Sequence, residues 1–231
     1  MEPYPLSRSK LQNFKKCPRC FYLDRKCGLI EAPSFPFTLN IAVDHLLKKE
    51  FDTYREAQKP HPLMKREGVE AVPFSHPDIN KWRSQGEGIR YLHKKTNLMI
   101  FGLVDDVWVD SNGGLFVVDY KATGKQGPLD IREEYQWQLE LYQWLFRRNG
   151  FEVNETGYIV YAQAKTDVGG FNERLEFELS LLPHHGNDSW VEPTIIQAYE
   201  CLKNDALPES GEDCGWCGYR HAAQQLEDQK I

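Results

Sequence analysis

An aspartate and a lysine stand at the end of an apolar run, within the stretch LMIFGLVDDVWVDSNGGLFVVDYKAT of residues 98–123. Asp119 and Lys121 are two positions apart, and side chains two apart on a strand project from the same face of a sheet. Charge at the end of an apolar strand is costly unless it is paired or bound to a metal ion. The pattern is therefore either a solvated ion pair or a metal site.

The two interpretations imply different chemistry. An Asp–Lys pair at a strand end is a common surface feature with no activity. In a metal site, carboxylate oxygens hold a hard cation such as Mg²⁺, and the lysine helps to activate a water nucleophile and stabilises developing negative charge. The second arrangement suits phosphodiester hydrolysis.

A hairpin is needed to bring a second carboxylate to Asp119. Asn112-Gly113-Gly114 separates two apolar runs and favours positive φ, which predicts an antiparallel hairpin. A two-residue turn at Asn112-Gly113 places Asp106 opposite Asp119, whereas a three-residue loop with a bulge places Asp105 there. Both registers are open at this point.

The stretch resembles the core of the PD-(D/E)XK nucleases. Gly102-Leu103-Val104-Asp105 resembles the motif G-x-x-D, and Asp119-Tyr120-Lys121 after the hairpin resembles D-x-K. The sequence DYK, with Thr123 close behind, is similar to the RecB-like branch, which includes CRISPR-associated exonucleases. The resemblance favours Asp105 over Asp106 as the ligand.

The resemblance also implies a role for each residue. Asp105 and Asp119 would hold Mg²⁺ or Mn²⁺, and the main-chain carbonyl of Tyr120 would contribute a further oxygen. Lys121 would position and activate the attacking water. His45 would add a metal contact from a helix that precedes the hairpin.

That helix is predicted over residues 38–54, TLNIAVDHLLKKEFDTY, from helical spacing of apolar residues. The predicted buried stripe consists of Ala42, Leu46, Leu47 and Phe51. A lone histidine on a helix is usually packed or on the surface, but His45 fits the position of the RecB-like histidine. Asn40 stands where those enzymes usually have glycine.

A second helix is predicted over residues 133–148, EEYQWQLELYQWLFRR. Gln138 and Tyr142 are four positions apart and therefore neighbours on one face. The motif Q-x-x-x-Y directly after D-x-K is typical of RecB-like nucleases. The resemblance implies that both residues act at the site by orienting Lys121 or the DNA backbone.

Four of the six cysteines form two C-x-x-C pairs, Cys17 with Cys20 and Cys214 with Cys217. In a cytosolic chain such pairs indicate metal binding more than disulfides. Four thiolates suit either a [4Fe–4S] cluster or Zn²⁺, and either would join segments 7–27 and 205–220.

The N-terminal pair and its surroundings are similar to RecB-like nucleases that carry an iron–sulfur cluster, so the resemblance favours a [4Fe–4S] cluster, with Zn²⁺ as the alternative. Those enzymes usually use one N-terminal and three C-terminal cysteines. Here the last C-terminal cysteine is missing and Cys20 is present instead.

The remaining segments receive simpler predictions. Residues 55–97 are charged and rich in turn residues, which indicates an insertion. In that segment His61, His76 and His93 are expected to be solvated, and Trp82 and Arg83 are expected candidates for stacking or phosphate contact. Strands are predicted over residues 155–164 and 174–182, a loop over 184–187, and a last helix over 188–204.

Composition predicts one domain over residues 1–231, because the hydrophobic content is 41%. The sequence contains no run of about 18 apolar residues, so we expect no membrane helix. The N-terminal residues lack an apolar signal core. We therefore expect a cytoplasmic protein without a membrane partner. The net charge of −6 is a mild argument against a nucleic-acid partner.

Together these patterns predict an α/β fold with a restriction-endonuclease-like core, a central mixed β-sheet flanked by helices. The leading hypothesis is a metal-dependent DNA nuclease that acts on single-stranded DNA or DNA ends in repair, recombination or defence, with a helicase or another protein as a partner. One alternative is a catalytically silent nucleic-acid-binding module with a structural metal or iron–sulfur site. The other is a structural zinc protein with no nucleic-acid role.

Overall fold

The computed structural model describes residues 2–30 and 38–229 and groups them into two compact units. The sheet unit contains the described residues within 35–91 and 101–188. The terminal unit contains those within 1–34, 92–100 and 189–231. The single domain expected over residues 1–231 stays a prediction, since two compact units can still unfold cooperatively.

The described residues form eight strands and eight α-helices. The strands are β1 (Tyr4–Ser7), β2 (Val72–Pro73), β3 (Ile89–His93), β4 (Leu98–Gly102), β5 (Asp106–Val109), β6 (Leu115–Thr123), β7 (Thr156–Ala164) and β8 (Phe177–His185). The helices are α1 (Arg8–Lys16), α2 (Pro18–Arg25), α3 (Thr38–Ala57), α4 (Pro62–Arg66), α5 (Ile79–Arg83), α6 (Glu133–Arg148), α7 (Val191–Lys203) and α8 (Gly215–Asp228). A short 3-10 helix, Asp188–Trp190, precedes α7.

A five-stranded sheet with the order β2-β5-β6-β7-β8 lies at the centre of the sheet unit. β6 and β7 are parallel, and the other neighbouring pairs are antiparallel. Parallel neighbours need a crossover connection, and here that connection contains α6. The predicted α/β class, with a central mixed sheet flanked by helices, is confirmed.

Alternation along β6 gives the sheet two chemically different faces. Val118 and Tyr120 belong to an apolar cluster that includes Phe51 of α3. Asp119 projects from the opposite face, where Gln138 of α6 contacts it. The run Val-Val-Asp-Tyr-Lys therefore gives alternate residues to the core and to the site.

The side of helix α3 that packs against the sheet differs from the predicted one. Ala42 and Leu46, both expected in the buried stripe, are exposed. The buried residues of α3 are Val43, Leu47, Phe51 and Arg55, each four positions after the one before. A pattern based on apolar residues misses the last of these because it is an arginine.

Residues 55–97 contribute to the core, although their role as an insertion stays a prediction. β2 pairs with β5 at the sheet edge. Trp82 is 6% exposed and packs edge-on against Phe146, with ring centroids 5.0 Å apart. The expectation that Trp82 stacks on nucleic acid is therefore wrong, and the same holds for a phosphate contact by Arg83, which is buried in ion pairs.

Two of the three histidines expected in solvent are buried with specific partners, and the third, His76, is half-buried and stacks on Trp82 with ring centroids 4.5 Å apart. His61 is buried, stacks on Phe51 and contacts Glu50 at 2.9 Å. His93 is buried and lies 2.9 Å from Glu192.

The loop predicted over residues 184–187 is also corrected. His184 and His185 belong to β8, where His184 is paired with Gly157. His184 lies 2.9 Å from Glu140 of α6. The buried carboxylate of Glu140 gives His184 a polar partner, which allows this histidine to lie near the end of a strand.

The terminal unit contains α1, α2, α7 and α8, and a second sheet has the order β1-β4-β3. Helices α1, α2 and α7 pack against one another. Ser7 caps α1 by accepting a hydrogen bond from the Lys10 amide at 3.4 Å. Within the part of the chain that the structure describes, no helix has the length and apolarity needed to cross a membrane.

Candidate active site

The β5–β6 connection is a three-residue loop. The Asp110 amide donates to the Gly114 carbonyl at 3.0 Å and closes the loop over residues 111–113. Gly113 has a φ of +88°, a left-handed conformation that glycine adopts without strain. This is the longer of the two turns that the sequence allowed.

The turn length sets which acid faces Asp119. β5 and β6 pair with Asp106 opposite Val118. Asp105, the residue before β5, is therefore the one in register with Asp119. The register that the family resemblance favoured is confirmed.

Asp119 is fully buried at the centre of the site. Its Oδ1 accepts a hydrogen bond from Gln138 Nε2 at 2.5 Å, and its Oδ2 pairs with Lys121 Nζ. Asp105 is held from two sides, because Oδ2 accepts from the Tyr120 amide at 2.9 Å and Oδ1 pairs with Lys48 Nζ at 3.0 Å.

The two carboxylates lie close enough to influence each other's ionisation. Burial and the charge of Asp105 raise the pKa of Asp119 to about 7, against the opposing effect of Lys121. Burial also acts to raise the pKa of Asp105, but Lys48, Lys121 and the Tyr120 amide outweigh it and keep that pKa below its usual value. The second negative charge in this pair is therefore costly, and a bound cation would relieve the cost.

Lys121 is held in its charged form. Burial acts to lower its pKa, but the charges of Asp119 and Asp105 outweigh this and raise the pKa above its ordinary value. Its Nζ lies 4.8 Å from the centre of the Tyr135 ring. A lysine in this state can donate hydrogen bonds and stabilise negative charge, but it is a poor proton acceptor.

Helix α6 supports the carboxylate pair from behind. Gln138 contacts Asp119 and also lies 3.4 Å from the Tyr142 hydroxyl. Tyr142 is 2% exposed. The structure therefore brings the two residues of Q-x-x-x-Y together with the acids, and it places Gln138 on Asp119 rather than on Lys121.

The role of His45 as a metal ligand stays a prediction. His45 is exposed, whereas its neighbour Asp44 is half-buried and pairs with Lys48 at 2.8 Å. Lys48 also pairs with Asp105, so α3 presents an acid and a lysine to the site. The buried stripe of α3 keeps Leu47 and Phe51 of the predicted one and adds Val43 and Arg55.

Sequence reasoning missed Asp44 and Lys48. A usable signal existed, because the two are four positions apart and directly follow Val43 and Leu47 of the buried stripe. Burial and the charge of Asp105 raise the pKa of Asp44, with Lys48 opposing. Asp44 therefore belongs to the same electrostatic cluster as Asp105.

The four paired cysteines meet in the terminal unit. Among the described residues, they are the only group of three or more His, Cys, Asp or Glu side chains whose ligand atoms all lie within 4.8 Å of one another. All four are free thiols. Burial acts to raise the pKa of Cys17, but amide hydrogen bonds from Gly211 and Cys20 lower it to about 7.

A family model of the PD-(D/E)XK nuclease superfamily matches residues 38–222. This chain belongs to that superfamily. The match covers the carboxylate pair, Lys121 and both residues on α6, so it rests on the same part of the molecule as the site.

This PD-(D/E)XK chain is also similar to the crystal structure of SSO0001. The two are 15% identical, with 90% of this chain and 81% of that chain covered and a TM-score of 0.39. The comparison with curated proteins gave no match.

The residues present fit the divalent metal that PD-(D/E)XK nucleases use. Two adjacent carboxylates, one of them fully buried, offer oxygen ligands in a place where negative charge lacks full compensation. The roles of Asp105, Asp119, Lys121, Gln138 and Tyr142 stay predictions, which are taken up below as a proposal.

Proposed function

We propose that this PD-(D/E)XK protein is a metal-dependent deoxyribonuclease of the RecB-like branch that acts on single-stranded DNA or DNA ends. The observation that carries the proposal is the meeting of Asp105, Asp119 and Lys121 at one end of the β5–β6 hairpin. A solvated ion pair would not require a fully buried aspartate, and Asp119 is fully buried.

The residues that would hold Mg²⁺ or Mn²⁺ are Asp105, Asp119 and the carbonyl of Tyr120. His45 stays a proposed ligand, and to this set we add Asp44, because its carboxylate shares a lysine partner with Asp105. The carboxylate and carbonyl donors are oxygen atoms, which hard divalent cations prefer.

The chemistry that such an ion would supply is activation of a water nucleophile and stabilisation of the charge that develops on phosphate. Lys121 would add a second positive charge by donating hydrogen bonds to the water or to a phosphate oxygen. Because its pKa is raised, Lys121 stays protonated at neutral pH and acts as a donor, not as a base. Gln138 and Tyr142 would keep Asp119 in its orientation.

The substrate and setting rest on the resemblance to RecB-like nucleases. Six motifs follow one another in the order of that branch, from the first cysteine pair to the second. They support DNA as the substrate, single strands or ends as its form, and repair, recombination or defence as the process. A helicase or other protein partner and a cytoplasmic location belong to the same proposal.

The test is cleavage of DNA labelled at either end. Single- and double-stranded substrates are incubated with Mn²⁺, Mg²⁺ or EDTA, and products are resolved by length. We expect cleavage with Mn²⁺ or Mg²⁺ and none with EDTA. Tight DNA binding without cleavage, by protein that is folded and loaded at its cysteines, would contradict the proposal and favour the silent binding module.

A further inference from the structure

The cysteine cluster carries an inference that does not depend on nuclease activity. It consists of Cys17, Cys20, Cys214 and Cys217 in the terminal unit. We infer that it holds a single tetrahedral Zn²⁺ ion and not a [4Fe–4S] cluster. The reasons are the spacing of the sulfur atoms, the placement of the cysteines on their helices and the pairing in the sequence.

The sulfur spacing matches one ion. Cys20 Sγ lies 3.5 Å from the Sγ atoms of both Cys214 and Cys217, and Cys17 Sγ lies 3.7 Å from that of Cys217. Tetrahedral zinc with bonds of about 2.3 Å places its sulfur ligands about 3.8 Å apart. The thiolates of a [4Fe–4S] cluster each bind a different iron around a larger core, so they lie farther apart.

The two pairs occupy equivalent positions on two helices. Cys17 and Cys214 are the residues that cap α2 and α8, and Cys20 and Cys217 are the third residues of those helices. Each C-x-x-C pair thus projects two sulfurs from the first turn of a helix. Helix N-termini favour negative charge, which stabilises thiolate ligands.

The backbone around Cys17 is shaped to support a thiolate. Its Sγ accepts hydrogen bonds from the amides of Cys20 at 3.4 Å and Gly211 at 3.3 Å. A Cβ atom at Gly211 would lie 2.1 Å from the carbonyl oxygen of Lys16, so only glycine permits this approach. Ligand atoms of bound metal ions usually have such hydrogen bonds from neighbouring groups, which hold them in place.

The sequence pattern agrees with the spacing. Two C-x-x-C pairs are the usual arrangement of a Cys₄ zinc site. The arrangement of one N-terminal and three C-terminal cysteines, which cluster-bearing RecB-like enzymes usually use, is absent from this sequence.

The test is metal content after anaerobic purification from cells grown with both iron and zinc. We expect one zinc per chain, no acid-labile sulfide and no visible absorption band. Replacement of zinc by Co²⁺ should then give the absorption bands of tetrahedral thiolate-bound cobalt. Four irons with four sulfides per chain would overturn the inference, as would mononuclear iron or a chain that binds no metal.

Two pairs of variants control this measurement. Cys20→Ser and Cys217→Ser should lose zinc, whereas Cys27→Ser and Cys201→Ser should retain it, because these two cysteines lie outside the cluster. Retention of full zinc by Cys20→Ser would contradict the four-thiolate site. None of these readouts requires cleavage, so a failed inference here leaves the proposed nuclease activity untouched.

A second inference comes from a different contact, the position of Lys48. Its Nζ lies 2.8 Å from Asp44 Oδ2 and 3.0 Å from Asp105 Oδ1. We propose that Lys48 is a displaceable counter-cation that competes with the divalent ion for these two carboxylates. This inference rests on the proposed function, because it assumes that Asp105 binds such an ion.

The physical basis is that the Lys48 ammonium occupies the position between the carboxylates of Asp44 and Asp105. A divalent ion offers both carboxylates twice the charge of an ammonium group, so it can displace Lys48. The lysine stem has four carbons and its side chain is 22% exposed, which allows the ammonium to move while the stem stays packed. Lys48 would then neutralise the acids before the ion arrives and lower the apparent affinity for it.

The test is Mn²⁺ affinity, measured by calorimetry on protein loaded at its cysteines. Lys48→Met should bind Mn²⁺ about tenfold more tightly than wild type, the scale of one partly buried ion pair. Lys48→Arg, which keeps the charge, and Lys49→Met, at an exposed neighbouring position, should bind as wild type does.

The outcomes separate the two proposals. Unchanged or weaker binding by folded Lys48→Met would overturn the role of Lys48 while leaving the metal site intact. No Mn²⁺ binding by wild type at all would instead contradict the proposed function.

Discussion

Asp105 and Asp106 are neighbours in the chain, yet their surroundings differ completely. Asp106 is fully buried, and its carboxylate pairs with Arg55 and with Arg83. It also accepts hydrogen bonds from the Tyr120 hydroxyl at 2.7 Å and the Trp108 indole at 3.3 Å. Asp105 faces Asp119 and Lys48 in the site.

The difference shows how one strand serves two purposes. Around Asp106, two arginines compensate the buried charge, which is the condition for a stable buried carboxylate. Around Asp105 there are more carboxylates than lysines to neutralise them, and the pKa of Asp119 is raised above its ordinary value. Compensated charge marks the structural face, and charge that lacks compensation marks the face that can take a metal ion.

Arg83 links the two faces. Its Nε donates to the main-chain carbonyl of Asp105 at 2.9 Å, while its Nη atoms pair with Asp106 and Asp52. The structural face therefore fixes the backbone of the residue that faces the site.

The largest expected effect is on the site. Lys121→Ala should reduce metal-dependent DNA cleavage by about a thousandfold or more, because it removes a preorganised positive charge beside the reacting groups. End-labelled DNA cleavage measures this, with Lys49→Ala as a control at an exposed position. Cleavage by Lys121→Ala at the wild-type rate would remove Lys121 from the chemistry.

Asp106→Asn tests the structural face. It removes the fully buried carboxylate that Arg55 and Arg83 share and leaves them only the partly exposed Asp52, so the free energy of unfolding should fall by about 3 kcal/mol. Urea unfolding followed by circular dichroism measures the loss. A change below about 1 kcal/mol would mean that the arginines find other partners.

Gln138→Ala tests the support behind Asp119. It removes the hydrogen bond to Oδ1, and loss of such an outer contact typically costs about 10–100-fold in metal affinity or activity. The urea midpoint should change little, which distinguishes this variant from Asp106→Asn. An unchanged affinity for Mn²⁺ and an unchanged rate would show that Asp119 needs no such support.

The smallest effect concerns pH. Burial acts to raise the pKa of Asp52, but Arg83 and Arg55 outweigh it and hold the pKa below its usual value. A lowered folded-state pKa contributes stability above the unfolded value of about 4, and this stability is lost as pH falls through the folded value. Wild type should therefore exceed Asp52→Asn in stability at pH 7, by less than about 1 kcal/mol, since Asp52 is 38% exposed.

The comparison of the two stability curves below pH 4 completes this test. The difference between wild type and Asp52→Asn should shrink there, because the carboxyl is then protonated in both states. A difference that grows in acid would reverse the sign and contradict the ion pairing.

Much of the fold could be predicted from the sequence because the local patterns agreed with one another. Residues Asn112-Gly113-Gly114 predicted the hairpin, and helical spacing predicted α6 with Gln138 and Tyr142 on one face. The membership of the PD-(D/E)XK superfamily is confirmed, while the RecB-like branch and the residue roles stay predictions.

The rest depended on partners far away in the chain. Arg55 is buried because Asp106 lies 51 positions later, and no local pattern distinguishes such an arginine from a solvated one. The buried side of α3 was partly misjudged for the same reason, which hid Asp44 and Lys48. Our inference of zinc over iron–sulfur rests on sulfur distances, which the spacing of cysteines in a sequence does not contain.

The most direct test of the account compares cleavage by Asp105→Asn and Asp106→Asn, two variants with the same chemistry at adjacent positions. Rates are measured with Mn²⁺ and divided by the folded fraction from urea unfolding. We expect Asp105→Asn to be well folded but inactive, and Asp106→Asn to be less stable but active per folded molecule. Full activity in folded Asp105→Asn would contradict the role of Asp105 as a metal ligand.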